Sequence, residues 1–129
     1  MPIRQIVTTD KAPAAIGAYS QAVNHAGTLY ISGQIPLDPN TQEIVSGDAR
    51  AQIVQVFQNL LAVAEAAGAS SDHIVKLMVY LVDLGNFPIV NEVMGEFFTE
   101  PYPARAAVGV ASLPKNVGVE VEAIVALPE

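Results

Sequence analysis

Three residues near the C-terminal end have the types and spacing to act on a small charged molecule. They are Arg105 in PYPARAAVGV, and Glu120 and Glu122 in VEVEAIVAL. Side chains alternate along a strand. Arg105, Ala107 and Gly109 therefore share one face of the first segment, and Glu120, Glu122, Ile124 and Ala126 share one face of the second. With residues 111–116 as the connection, Val110 pairs with Val117. That register sets Arg105 opposite Glu122 and diagonal to Glu120. A cross-strand ion pair contributing a few tenths to ~1 kcal/mol accounts for the trio. A pocket for a small carboxylic acid accounts for it as well. Arg105 follows Pro103, which stiffens its entry, and Ala107 and Gly109 leave room above the strand. A planar guanidinium grips a carboxylate with two hydrogen bonds, and a neighbouring glutamate can move protons.

Other reactive side chains offer less. His25 falls in a turn and His73 at a strand start, too far apart in sequence to read as a metal-ligand pair. Ser32, in YISGQ, lacks the glycine-flanked elbow of a serine nucleophile and reads as a hydrogen-bonding or packing residue. Tyr19, in AIGAYSQ, is placed to reach solvent or a partner subunit. No phosphate-binding loop or dinucleotide fingerprint is present. With no cysteine in the chain, disulfides and thiolate metal sites are excluded.

The elements that must position these residues read in the order β-β-β-α-β-α-β-β. Ile3 to Thr8 is a short strand, and YSQAVNHAGTLYISGQI is two strands joined near His25–Thr28, with Gly27 in the turn. PLDPNTQEIVSG is a loop with a turn at Pro39–Asn40. Asp48 caps a helix running to about Ala67, with Gly68 at C′. Ile53, Phe57, Leu60, Leu61 and Ala64 form its apolar stripe, while Gln52, Gln55 and Asn59 lie off it. Residues 73–83 form a buried strand. A second helix runs from an Asn86 cap through Phe98, with Pro88 in its first turn and Phe87, Val90, Met94 and Phe97/Phe98 on one side. ARAAVGVA and VEVEAIVAL close the chain as two strands separated by SLPKNVG. Two helices with one apolar stripe each suit one face of a single mixed sheet, an α+β arrangement. Nothing is left to cover the other face, which calls for oligomerisation through the sheet.

Length and composition agree with one domain over 1–129: 51% of residues are apolar and 15% charged. That balance disfavours disorder and favours an oligomer that hides part of the sheet. No apolar run is long enough to span a bilayer, and MPIRQIVTTDK lacks the apolar stretch of a secretory signal. A cytoplasmic protein is the expectation. The net charge of −7 and six scattered basic residues exclude a nucleic-acid stripe.

Four separated motifs carry a resemblance. APAAIGAYSQAV, ISGQIP, FFTEPYPARAAV and LPKNVGVEVEAIV, in this order, resemble the Rid (YjgF) family of reactive intermediate deaminases, RidA type, nearly end to end. The resemblance implies a chorismate-mutase-like α+β fold and a homotrimer with clefts between subunits. It further implies hydrolysis of 2-imino acids and their enamine tautomers, such as 2-aminoacrylate, to 2-keto acids and ammonia, with no cofactor and no metal. On this resemblance Arg105 holds the substrate carboxylate and Glu120 positions water. Tyr19, Ser32 and Asn91 line or support the cleft, and Gly33 and Ala107 act through backbone groups. Alanine at 107, where some relatives have cysteine, removes thiol chemistry. The segment between Phe98 and Arg105 is shorter than in some relatives, which bears on substrate range. An RNA-directed translation inhibitor and a trimeric small-carboxylate sensor are the competing functions.

Overall fold

The computed structural model describes residues 3–129. Six strands form one sheet in the order β1-β2-β3-β6-β4-β5. They are β1 (Gln5–Val7), β2 (Ala22–His25), β3 (Thr28–Gln34), β4 (Ile74–Leu81), β5 (Ala104–Gly109) and β6 (Val119–Ala126). Two helices, α1 (Ala49–Ala66) and α2 (Phe87–Phe97), pack on the sheet. Element order and types match the sequence reading, although β1 is shorter than Ile3–Thr8 and Phe98 falls just beyond α2.

Local chemistry explains most boundaries. Gly27, at φ +85°, closes the β2–β3 hairpin in a conformation that only glycine adopts freely. The Asp48 carboxylate accepts from the Ala51 N–H at 2.9 Å and caps α1. At the other end the Ala69 N–H donates to Ala64 O and the Gly68 N–H to Glu65 O, a Schellman closure with Gly68 in the left-handed region. Asn86 does not cap α2: its backbone is already helical (φ −86°, ψ 0°), so its side chain makes no capping bond. The preceding turn is instead fixed by Asp83, which accepts from the Gly85 N–H at 2.8 Å.

The α1 stripe is wider than the sequence reading allowed. Val56 and Val63 join Ile53, Phe57, Leu60 and Ala64 in the core, while Leu61 is only half-buried. Asn59, expected off the stripe, is also buried. Its amide donates to Ile35 O and Leu37 O and accepts from Gln55, tying α1 to the loop after β3. A buried amide is tolerated because each of these bonds is made. Midway along α1, Phe57 stacks on Phe97 with ring centroids 5.8 Å apart and meets Phe98 edge-on.

The closing strands depart from expectation. β5 and β6 are not neighbours, because β4 lies between them, parallel to β5 and antiparallel to β6. The assumed Val110–Val117 register does not exist. Strand, helix, strand in sequence is a crossover unit that leaves its two strands parallel, and β4, α2 and β5 form one. The inner positions of β6, Val119, Val121, Ala123 and Val125, are all at most 3% exposed. Such a strand is stabilised most by neighbours on both sides, and it takes the central place. β5, built of small residues with an arginine, is left at the edge.

The sheet is one-sided. Leu77, Val79 and Leu81 of β4 and the four inner residues of β6 face the helices. The opposite face has no cover within the described residues and leaves Ile6 at 55%, Tyr30 at 48% and Val108 at 41% exposure.

Candidate functional site

Arg105 pairs in register with Leu77, which places it on the helix-covered side of the sheet, at the edge. One guanidinium nitrogen donates to Asn91 Oδ1 of α2 and approaches Met94 Sδ at 3.4 Å. The guanidinium carbon stands 4.7 Å from the centre of the Phe87 ring. Among the described residues no carboxylate lies within salt-bridge distance of it; the salt bridges found are those of Arg50 with Glu92 and Glu96, which link α1 to α2. The structural ion-pair reading of Arg105 is therefore set aside. An arginine on the inner side of a central strand would be buried without a counter-ion, whereas at the edge its head reaches the rim. There it lines an open depression of about 440 Å³ with Asn91, Met94, Gly95, Tyr102 and Pro103. Ala107 follows on the same face, partly buried against the core.

Glu120 and Glu122 occupy the other face, two strands away. Glu122 pairs with Met78 and Glu120 with Tyr80. The expected placement of Arg105 opposite Glu122 and diagonal to Glu120 is thus overturned. Within one chain the cation and the carboxylates look out from opposite sides of the sheet.

The Glu120 half is shaped by a bulge. β3 and β6 pair at Ile31–Ala123 and again at Gln34–Val121, so Ser32 and Gly33 together oppose one residue of β6. The extra residue returns Gln34 to the buried side with Ile31 and sets Ser32 and Gly33 out of the ladder. Ser32 Oγ donates to Ser20 O at 2.6 Å, and the Ser32 N–H donates to Gln21 O at 2.9 Å. These bonds lay the segment carrying Tyr19 beside the bulge. Tyr19 itself is half exposed, its hydroxyl accepting from the Ile16 N–H. The Glu120 carboxylate lies across Gly33, where any Cβ would collide with it.

Burial pushes the Glu120 carboxyl above its ordinary value, and the nearby Glu122 charge adds to the effect. Tyr80 donates its hydroxyl to Glu122 at 2.6 Å. That bond, with burial and the two glutamate charges behind it, pushes the Tyr80 phenol up to about 12. With its proton affinity raised, Glu120 is the carboxylate disposed to take a proton. Tyr80 was not singled out from the sequence. Its signal was the alternation in IVKLMVYL, which puts one polar ring on the face opposite Leu77, Val79 and Leu81.

The expected residues thus fall into two groups. Arg105, Asn91 and Ala107 gather at the β5 edge, and Glu120, Ser32 and Gly33 gather over the bulge, with Tyr19 alongside. Residues 9–127 match the family described as Endoribonuclease L-PSP. The chain belongs to this family, the Rid (YjgF) proteins. A protein of Dermatophagoides farinae named 2-iminobutanoate/2-iminopropanoate deaminase is 46% identical over 127 residues, covering 98% of this chain and 99% of its own. The crystal structure of RidA from an Antarctic Psychrobacter superposes with a TM-score of 0.92 at 53% identity, covering 96% of this chain and 100% of that one. That of Escherichia coli TdcF with bound serine does so at 0.91 and 42% identity, covering 96% and 99%. The Rid fold therefore extends over nearly the whole chain. Among the described residues no helix is long and apolar enough to cross a membrane.

Proposed function

We propose that this protein is a 2-iminobutanoate/2-iminopropanoate deaminase, hydrolysing short 2-imino acids and their enamine tautomers to 2-keto acids and ammonia. The observation that carries the reading is the Arg105 guanidinium, held by Asn91, Met94 and Phe87 at the mouth of a depression with no carboxylate partner among the described residues. A fixed, uncompensated fork of donors is suited to a substrate carboxylate. The serine in the TdcF structure, a small amino acid held on the same fold, supports a ligand of that class.

Because Arg105 and Glu120 face opposite ways, a single ligand touches both only where two chains meet. The proposed assembly is a homotrimer in which Arg105 of one protomer and Glu120 of its partner close each cleft. The uncovered apolar face with Ile6, Tyr30 and Val108 supports such an assembly. In the cleft, Arg105 fixes the carboxylate and Ser32, Gly33 and Tyr19 border the reacting carbon. Water adds to the carbon of the protonated imine while Glu120 takes one of its protons, giving a carbinolamine. Glu120 then returns that proton to nitrogen, and as the C–N bond breaks the hydroxyl proton passes to Glu120, the keto group forms and ammonia leaves, so that Glu120 can protonate the next imine. An iminium carbon is already electrophilic, so orientation and one proton carrier suffice, with no metal or cofactor in the scheme. The raised proton affinity of Glu120 suits a group that must be reprotonated in each turnover.

The family description names an endoribonuclease. Here the basic residues form no stripe, and Arg50 is already engaged by Glu92 and Glu96, which leaves little to replace phosphate counter-ions. The deciding assay is ammonia release from 2-iminopropanoate, generated in situ by an amino-acid oxidase. Release above the uncatalysed rate, lost in Arg105→Ala, is expected. Unaccelerated hydrolysis beside tight keto-acid binding would instead make the protein a carboxylate sensor.

A further inference from the structure

Gly95 has no reason to be glycine within its own chain. It lies in α2, where glycine is the poorest helix former after proline. Its backbone is helical, so no left-handed conformation requires it. A Cβ placed there would meet no atom within 4 Å. Alanine would fit and would strengthen the helix. What glycine leaves is open space, and that space is part of the depression beside Arg105.

Its position relative to the other lining residues ties that space to Arg105. Asn91, which holds Arg105, lies one turn before Gly95 on the same side of α2. With a carboxylate on Arg105 and the imine carbon toward the partner's bulge, the substrate's side chain is left the remaining space of the depression. Met94, Gly95, Tyr102 and Pro103 line that space. The six non-hydrogen atoms of 2-iminopropanoate occupy on the order of 180 Å³, at about 30 Å³ per water-sized group. The depression of a single chain, about 440 Å³ before a partner closes the cleft, exceeds this and leaves room for a larger apolar substituent.

We infer that Gly95 is a specificity-determining residue that keeps the Arg105 depression open to 2-imino acids with branched, leucine-sized side chains. The inference rests on the deaminase reading for its reaction, but on the depression alone for its ligand size. The test compares wild type, Gly95→Leu and Gly95→Ala on 2-iminopropanoate and 2-imino-4-methylpentanoate, with calorimetric binding of pyruvate and 4-methyl-2-oxopentanoate alongside. In Gly95→Leu, kcat/KM for the larger imine should fall at least about 10-fold relative to the smaller, the range a misfitted methylene or two produces. Gly95→Ala should melt higher than wild type and keep a near-wild-type ratio. Should the leucine variant not fold, Tyr102→Ala, at a half-exposed wall residue, serves in its place and should move the ratio toward the larger imine. Imine hydrolysis with a size ratio unmoved by these substitutions overturns the inference and leaves the deaminase standing. Absence of hydrolysis with Gly95-dependent binding of the larger keto acid does the reverse. Neither hydrolysis nor binding sinks both.

Discussion

Arg105 and Glu120 are held by different kinds of scaffold. Arg105 stands on an edge strand with one paired neighbour, and its head is placed by side chains of α2: Asn91, Met94 and Phe87. Glu120 stands on a strand paired on both sides, and its carboxylate lies across Gly33 of the bulge, with Tyr80 opposite it in register bonded to the neighbouring Glu122. The edge gives a cation access to solvent and ligand without a counter-ion. The sheet centre supplies partial burial and a second carboxylate, which together raise proton affinity. In the proposed scheme, binding and proton transfer sit where their electrostatic needs are met, and two chains are needed to join them.

The largest effects are expected at the edge. Arg105→Ala should lower imine hydrolysis to near the uncatalysed rate and abolish pyruvate binding, with circular dichroism unchanged, because no ion pair is lost. Arg105→Lys should fail nearly as badly, since one ammonium does not reproduce a planar fork. A variant that unfolds would return Arg105 to a structural role. Glu120→Gln should lower turnover by about 10²–10⁴-fold while calorimetry still detects pyruvate. Loss of binding equal to the loss of rate would assign Glu120 to ligand holding.

Joining the two variants tests the shared cleft. Each is inactive alone, but after co-refolding in equal amounts about one site in four should combine an intact Arg105 with an intact Glu120 from its neighbour. Light scattering should show a trimer throughout. A mixture as inactive as its components, in demonstrably mixed trimers, would place both residues' work within single chains.

The smallest effect concerns pH. Because the folded protein raises the Glu120 pKa, its protonated form is favoured on folding, and the associated stability is present below the ordinary glutamate range. It is lost as pH rises through the folded value. Glu120→Gln, which never ionises, should therefore unfold at higher denaturant than wild type at neutral pH. The gap should close as the pH is lowered below the ordinary glutamate value. A gap independent of pH would mean that burial does not burden this carboxylate.

Local sequence was enough to set the elements and their one-sidedness. Asp48, Gly68, Gly27 and the stripe from Ile53 to Ala64 act over a few residues, through hydrogen bonds and periodicities that a linear chain displays. The missing cover for one sheet face followed from them, and so did Arg105 as a cation needing a reason. Strand order depends instead on contacts between distant residues. The competition that set β4 between β5 and β6 was decided by which strand buries the most apolar surface and by the parallel direction that α2 imposes. The Ser32–Gly33 bulge, the burial of Asn59 and the Tyr80–Glu122 bond arose in the same way. Only the folded sheet therefore determined that Arg105 and Glu120, joined on one surface by sequence spacing, stand on opposite faces: alternation fixes a residue's side relative to its own strand, and pairing alone fixes it relative to every other.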